Sequence, residues 1–460
     1  MKLPFLAPEG DSGNFPINLF HHPQALSGKP GWVGTPGAKD FCDIGASVPI
    51  RGMRVVGSVL YAVAGNKFYS IDANGTETEQ GTLNTSTGYC WIVDCATQIM
   101  IIDGTDGYTY TIATDTFAAI ADADFPTTPG SAAYQDGYGI VTVNAAATFN
   151  LSALLDFTAW DALDYAGVDG YSDPLLTVVS NLRELFLFGT QSLEVWQNTG
   201  NADFPFERIP GGVIMKGCGA AASACEHNDS VFFLADDATV NMIPAGTYSP
   251  KIISPPALND LISAYATKSD AIGFGMTWKG DDFYVLSFPT QNITWVFNVS
   301  TGLWHQWASY ANNGRHRANC YAFFSGKHLV GDYANGKIFE LDSATYTDNT
   351  SNEITRQRIF GPIDSEDFPW VFHGSVEIEL KPGVGNVNDT DPVLTLYWSE
   401  DDGRSWSTGV AVAIGQSTET TKRVIWRRLG KSRKRLYKLV GTDKVQHIFT
   451  GFYANIEKGD

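Results

Sequence analysis

The chain has 460 residues, too many for one ordinary core, and a formal net charge of −19. With 43% hydrophobic, 13% aromatic and 18% charged residues and 46 glycines, it is too apolar for disorder and suits many short strands joined by tight turns. The charge argues against a free nucleic-acid binder, because phosphate contacts supply most of such a protein's affinity.

Residues 1–52 are rich in Gly, Pro and Asn and show little periodicity, so they are expected as an extended N-terminal arm. The opening stretch carries no long apolar core of a secretory signal. No run approaches the ~20 apolar residues of a membrane span. From residue 53 a pattern recurs: a short apolar strand, a turn, a second strand, then an Asp/Asn/Gly cluster. Clear copies are Leu60–Ala64 with Lys67–Asp72 across a Gly65-Asn66 loop, and Ile99–Ile102 with Tyr108–Ile112. Others are Leu185–Phe188 with Leu193–Trp196, Phe283–Leu286 with Thr294–Phe297, and His328–Val330 with Lys337–Leu341. Weaker copies surround Tyr138–Val143 and Val231–Leu234. Their spacing of roughly 40–50 residues is that of four-stranded propeller blades. The prediction is an all-β chain with a β-propeller over 53–345; seven blades are counted, six being the alternative.

Residues 346–370 are expected as a linker, and 371–460 as a C-terminal antiparallel β-sandwich-like domain with strands at Val376–Leu380, Leu394–Trp398, Arg423–Trp426, Leu436–Val440 and Ile448–Phe452. The six cysteines form no C-x-x-C pair and read as small core residues. The histidines are scattered except for His21-His22, whose adjacent side chains would not converge on one ion, so no metal or cofactor is expected. No H-E-x-x-H, Walker A, G-x-S-x-G or G-x-G-x-x-G motif occurs, and the chain reads as non-enzymatic.

Two features stand out. Ser399, Asp401, Gly403 and Trp406 fit S-x-D-x-G-x-[ST]-W, the Asp-box of sialidase-like propellers. Its side chains can bond the turn backbone while Gly supplies a positive φ, which makes it a structural turn; the box itself holds no catalytic group. The stretch from Lys422 to Lys444 contains Arg427, Arg428, Lys431, Arg433, Lys434, Arg435 and Lys438, opposed within it only by Asp443. Such density in an acidic chain points to a surface for docking an acidic partner or phosphates. Arg427, Arg428, Lys431, Arg433, Lys434 and Arg435 are its candidate residues, with Trp426 packing inward. Alternation along a regular strand would let only one of Arg427 and Arg428 face outward.

Several stretches resemble one family, the tail hub or nozzle (packaged-DNA stabilisation) proteins of short-tailed bacteriophages. They are Val424–Arg433, Leu185–Trp196 followed by Thr199-Gly200 and Phe204-Pro-Phe206, and Pro16–Phe20 with Thr35-Pro-Gly37. The resemblance implies a structural virion protein of the tail, synthesised in the host cytoplasm. It implies a homohexameric ring below the portal and head-to-tail adaptor that extends the channel for double-stranded DNA. The ring would help retain the packaged genome and anchor fibre, spike or plug proteins. A glycan-binding or glycan-hydrolysing propeller is the alternative suggested by the Asp-box and the aromatics.

Overall fold

The computed structural model describes residues 13–45, 47–171, 173–309, 313–348, 351–364 and 370–459. Seven small antiparallel sheets follow one another along the chain, covering 50–82, 91–119, 129–167, 175–214, 225–252, 272–315 and 318–342. Their innermost strands pack in a closed cycle, the last (Ala318–Phe324) against the first (Ile50–Val56). They are therefore seven blades of a β-propeller. Each hairpin expected from sequence supplies the two middle strands of one blade, or one of them in the two weaker copies. Alternating apolar residues there are buried on both faces: Phe68, Phe186, Phe283 and Trp295 are almost inaccessible. Trp196 is 8% exposed, meets Phe149 edge-on at 5.3 Å and donates its indole N–H to buried Glu194 at 2.9 Å. Trp196→Ala is expected to cost about 3–5 kcal/mol, read from chemical unfolding, because it opens a cavity and strips a partner from a buried carboxylate.

The N-terminal segment departs from the expected arm. Gly37–Asp43 pairs with Lys337–Asp342 as the fourth strand of blade 7, so the two ends of the propeller close the ring together. Leu19–Leu26 and Lys29–Gly34 form a hairpin that joins the C-terminal domain by pairing with Ile448–Lys458. The Asn18 side chain stitches the parts together: its amide donates to the carbonyls of Ala308 and Thr355, and its oxygen accepts from the Ala308 N–H. Glycine is abundant there because backbones nearly touch. A Cβ on Gly31 would lie 2.4 Å from the Phe449 carbonyl oxygen, and one on Gly37 2.4 Å from that of Thr345. Residues 1–12 of the expected arm lie outside the described residues.

The expected linker also contains structure: Arg356–Asp364 is a full strand paired with Lys434–Gly441. Residues 349–350 and 365–369 lie outside the described residues. The C-terminal domain has two sheets. One runs Leu19–Leu26, Lys29–Gly34, Ile448–Lys458, Val371–Leu380, Val424–Arg427, with Lys431–Ser432 also on Val371–Leu380. The other runs Arg356–Asp364, Lys434–Gly441, Val393–Ser399, Val410–Ala413. Trp32, Val376, Ile378, Leu396, Trp426, Tyr437 and Phe452 fill the space between them. This β-sandwich sits against blades 6 and 7: Phe20, Val33 and Ile448 share one apolar cluster with Phe283, Val296 and Trp307 of blade 6 and Val330 and Phe339 of blade 7.

Candidate docking surface

The basic stretch spans the end of one sheet of the sandwich and the start of a strand in the other, and the fold divides it. Part is neutralised at home. Arg423 pairs with Glu377 through two 2.8 Å hydrogen bonds, Lys422 with Glu419 at 3.2 Å, and Lys434 with Asp402 at 2.6 Å. Lys438 lies over the Trp406 ring at 4.2 Å.

Arg435, expected on the outside, is only 2% exposed. Its guanidinium donates to the Leu429 carbonyl at 2.5 Å, the Lys431 carbonyl at 3.4 Å and the Glu400 carboxylate at 2.5 Å. It ties the loop after Val424–Arg427 to the opposite sheet, and the reason is position: it falls one residue before a run of core residues, Leu436 and Tyr437. Arg427 and Arg428 correct the alternation argument in the opposite direction. Both are exposed, because the strand ends at Arg427 and Arg428 turns into the left-handed region at φ 59°, its N–H bonding the Gly374 carbonyl at 3.0 Å.

What remains outward-facing is Arg427, Arg428, Lys431 and Arg433. Among the described residues none of the four forms a salt bridge, although the Glu377 carboxyl, held down first by its hydrogen bonds from Arg423, also feels the charge of Arg427. The ammonium of Lys431 lies 4.8 Å, and the guanidinium of Arg433 5.3 Å, from the centre of the Trp370 ring. Phe372 stands opposite Lys431 across the strand pair and is 47% exposed. Glu457 on the next strand borders this face. The result is two exposed aromatic rings among four cations, an arrangement suited to apolar contact combined with bidentate pairing of carboxylates. Trp370 and Phe372 carried no signal of their own; only their closeness in the fold to Lys431 and Arg433 makes them part of the surface.

The Asp-box lies in the connection between Val393–Ser399 and Val410–Ala413, away from the blades. Asp401 accepts from the Ser399 hydroxyl at 2.7 Å and from the N–H and hydroxyl of Ser405 at 2.8 and 2.5 Å. These bonds, the Ser405 hydroxyl's first, hold its carboxyl down to about 2. The Ser399 hydroxyl takes the Gly403 N–H at 2.9 Å, and Gly403 has φ 87°. Trp406 is half-buried. These bonds turn the chain sharply.

The innermost strands of all seven blades surround the propeller's middle. Tyr89 and Trp91 border two cavities of about 450 and 400 Å³, one lined by Arg54, Tyr134, Glu226 and Tyr321, the other by Arg51, Asp270, Arg315 and Tyr333. The cysteines are free, and burial pushes the thiols of Cys90 and Cys320 up to about 12. Among the described residues no cluster of His, Cys, Asp or Glu is placed to hold a metal ion, and no helix is long and apolar enough to cross a membrane.

A family model described as bacteriophage P22 Gp10, beta-propeller, matches residues 12–346, and one described as bacteriophage P22 Gp10, beta-sandwich, matches residues 362–457. The chain belongs to the bacteriophage P22 Gp10 family. It is thus a tail-associated packaged-DNA stabilisation protein, a structural component of a phage tail. No curated protein matches it. Among solved structures, the computationally designed Ika8 protein aligns at TM-score 0.40 and 9% identity over 66% of this chain and 99% of its own. PorZ, a surface component of the type-IX secretion system of Porphyromonas gingivalis, aligns at 0.40 and 11%, over 82% of this chain and 46% of its own. The extracellular domain of a hybrid two-component system from B. thetaiotaomicron aligns at 0.47 and 12%, over 74% and 44%.

Proposed function

We propose that this Gp10-family chain forms a homohexameric ring below the portal and adaptor of a short phage tail, where it extends the DNA channel, helps hold the packaged genome and anchors other tail parts. The observation that carries the reading beyond family membership is the narrowness of the propeller's centre. B-DNA is wider than its own major groove of about 12 Å, and the central cavity of about 450 Å³, with Tyr89 and Trp91 in its lining, admits no duplex. A channel for DNA therefore runs between copies of the chain and not through one propeller. The net charge of −19 suits walls past which a duplex slides without tight phosphate contacts. Electron microscopy of the particle is expected to show six copies around one axis below the adaptor; a single copy, or a propeller threaded by DNA, overturns the reading. The isolated protein is expected to leave a duplex unshifted near physiological salt in a gel or polarisation assay, and micromolar or tighter binding there would contradict the acidic channel.

A further inference from the structure

The outermost strand of blade 3, Asp156–Gly167, leaves its partner strand partway along. Pairing jumps from Ser152↔Trp160 to Asn150↔Tyr165, and residues 161–164 bulge away from the sheet. At the crest Leu163 is 80% exposed, and Tyr165 beside it 52%. The Asp161 carboxylate accepts the Leu163 N–H at 2.9 Å and so fixes the crest. Asp164 stands next to it, its carboxyl raised by burial and then by Asp161. Among the described residues neither aspartate has a basic partner. An exposed leucine and tyrosine between two uncompensated carboxylates form an acidic, apolar knob, the chemical inverse of the basic aromatic surface of Trp370, Phe372, Lys431 and Arg433.

The two surfaces lie at opposite ends of the molecule. The sandwich is seated on blades 6 and 7, and in the seven-bladed cycle two blades separate these from blade 3 in either direction, blades 1 and 2 one way and 4 and 5 the other. The basic surface also sits on the edge of its sheet farthest from the hairpin Leu19–Gly34 that meets the propeller. Knob and surface therefore cannot meet within one chain. Complementary, different patches at opposite ends give a head-to-tail contact, which closes into a ring when the rotation between copies allows. We infer that the blade 3 knob of each protomer docks on the sandwich of the next, with Leu163 against Trp370 and Phe372 and with Asp161 and Asp164 against Lys431 and Arg433. The occupant is a second copy of this chain, because charge and apolar character match in both members of the pair. This inference rests on the ring reading and names the contact that would build it.

The test is compensation, read as copies of the chain per particle by quantitative mass spectrometry. Asp161→Lys with Asp164→Lys, or Lys431→Glu with Arg433→Glu, is each expected to lower incorporation about tenfold or more, since like charges face each other across the contact. All four substitutions together are expected to restore it. A second arm avoids charge: Leu163→Cys combined with Phe372→Cys, two exposed positions, is expected to give disulfide-linked multimers on oxidation of assembled tails, while either cysteine alone gives none. Incorporation indifferent to both reversals overturns the inference, as does a loss at Lys431 and Arg433 that the blade 3 reversal does not rescue, which would assign the basic surface to a different tail protein. In these cases a ring still visible by electron microscopy leaves the functional reading standing. Absence of any ring in the unsubstituted particle sinks both.

Discussion

Lowering the pH from 7 to 5 is expected to destabilise the folded chain by on the order of 4 kcal/mol, through two histidines alone. His305 and His447 are each 2% exposed, and burial lowers both to about 3. Each is held as the neutral ring. The Trp307 indole N–H bonds Nε2 of His305 at 2.9 Å, and Nδ1 of His447 lies 2.9 Å from the Val445 carbonyl. In the unfolded chain both titrate near the ordinary value of about 6.5, so below it the unfolded state binds protons that the folded state refuses. Their folded pKa values being depressed, stability is complete above about 6.5 and is lost as the pH falls toward 3, at up to about 1.4 kcal/mol per unit for each. His373, lowered to about 4 by burial and the nearby Arg435, adds to the loss. Asp401 acts separately and only in stronger acid: its carboxyl is held at about 2 against an ordinary 3.8, so its contribution is full above about 4 and is lost as the pH falls toward 2. Thermal melts at pH 7 and pH 5 check this: the midpoint drops markedly, and His447→Asn, which keeps a donor near the Nδ1 position, flattens the dependence. An unchanged midpoint between pH 7 and 5 would contradict it.

The acid effect also shows where the chain was legible. His305 is on a strand next to the apolar Ile293–Asn298, and the middle hairpin of each blade announces itself because both its faces are buried. The outer strands lack that signal: Glu77–Thr82 buries no residue fully and reads as loop although it completes blade 1. The N-terminal strands are illegible for a different reason. Their partners lie about 300 to 400 residues later, at Lys337–Asp342 and Ile448–Lys458, and close backbone approach demands the glycines that imitate a loop. The basic stretch is legible as charge, but its division into inward and outward groups follows from where strands end. That depends on the left-handed turn at Arg428, which no composition rule signals. The blade 3 knob escaped notice because Asp161–Tyr165 looks like an ordinary strand until the bulge lifts it from the sheet.

Arg433 and Arg435, two residues apart, are expected to give opposite phenotypes. Arg435→Ala should destabilise the sandwich by about 3 kcal/mol, because it leaves the Leu429 and Lys431 carbonyls short of a buried donor and opens a hole against Trp398 and Tyr437. The Glu400 carboxylate is half in solvent and rehydrates, so the loss is smaller than for a wholly buried pair. Arg435→Lys recovers part of it, since one ammonium reaches neither both carbonyls nor the carboxylate with the same fork. Arg433→Glu should leave the melting curve within about 0.5 kcal/mol of the parent, because its head group sits over an exposed ring in water. The same substitution should reduce assembly onto the particle, and raising the ionic strength should shrink the difference between variant and parent, as screening weakens the pairing that the parent makes. Denaturant unfolding of both proteins, beside their copy number in particles, separates the two roles. If Arg433→Glu unfolds the sandwich, or Arg435→Ala leaves it unaltered, the division of the basic stretch into an internal tie and an external contact is wrong.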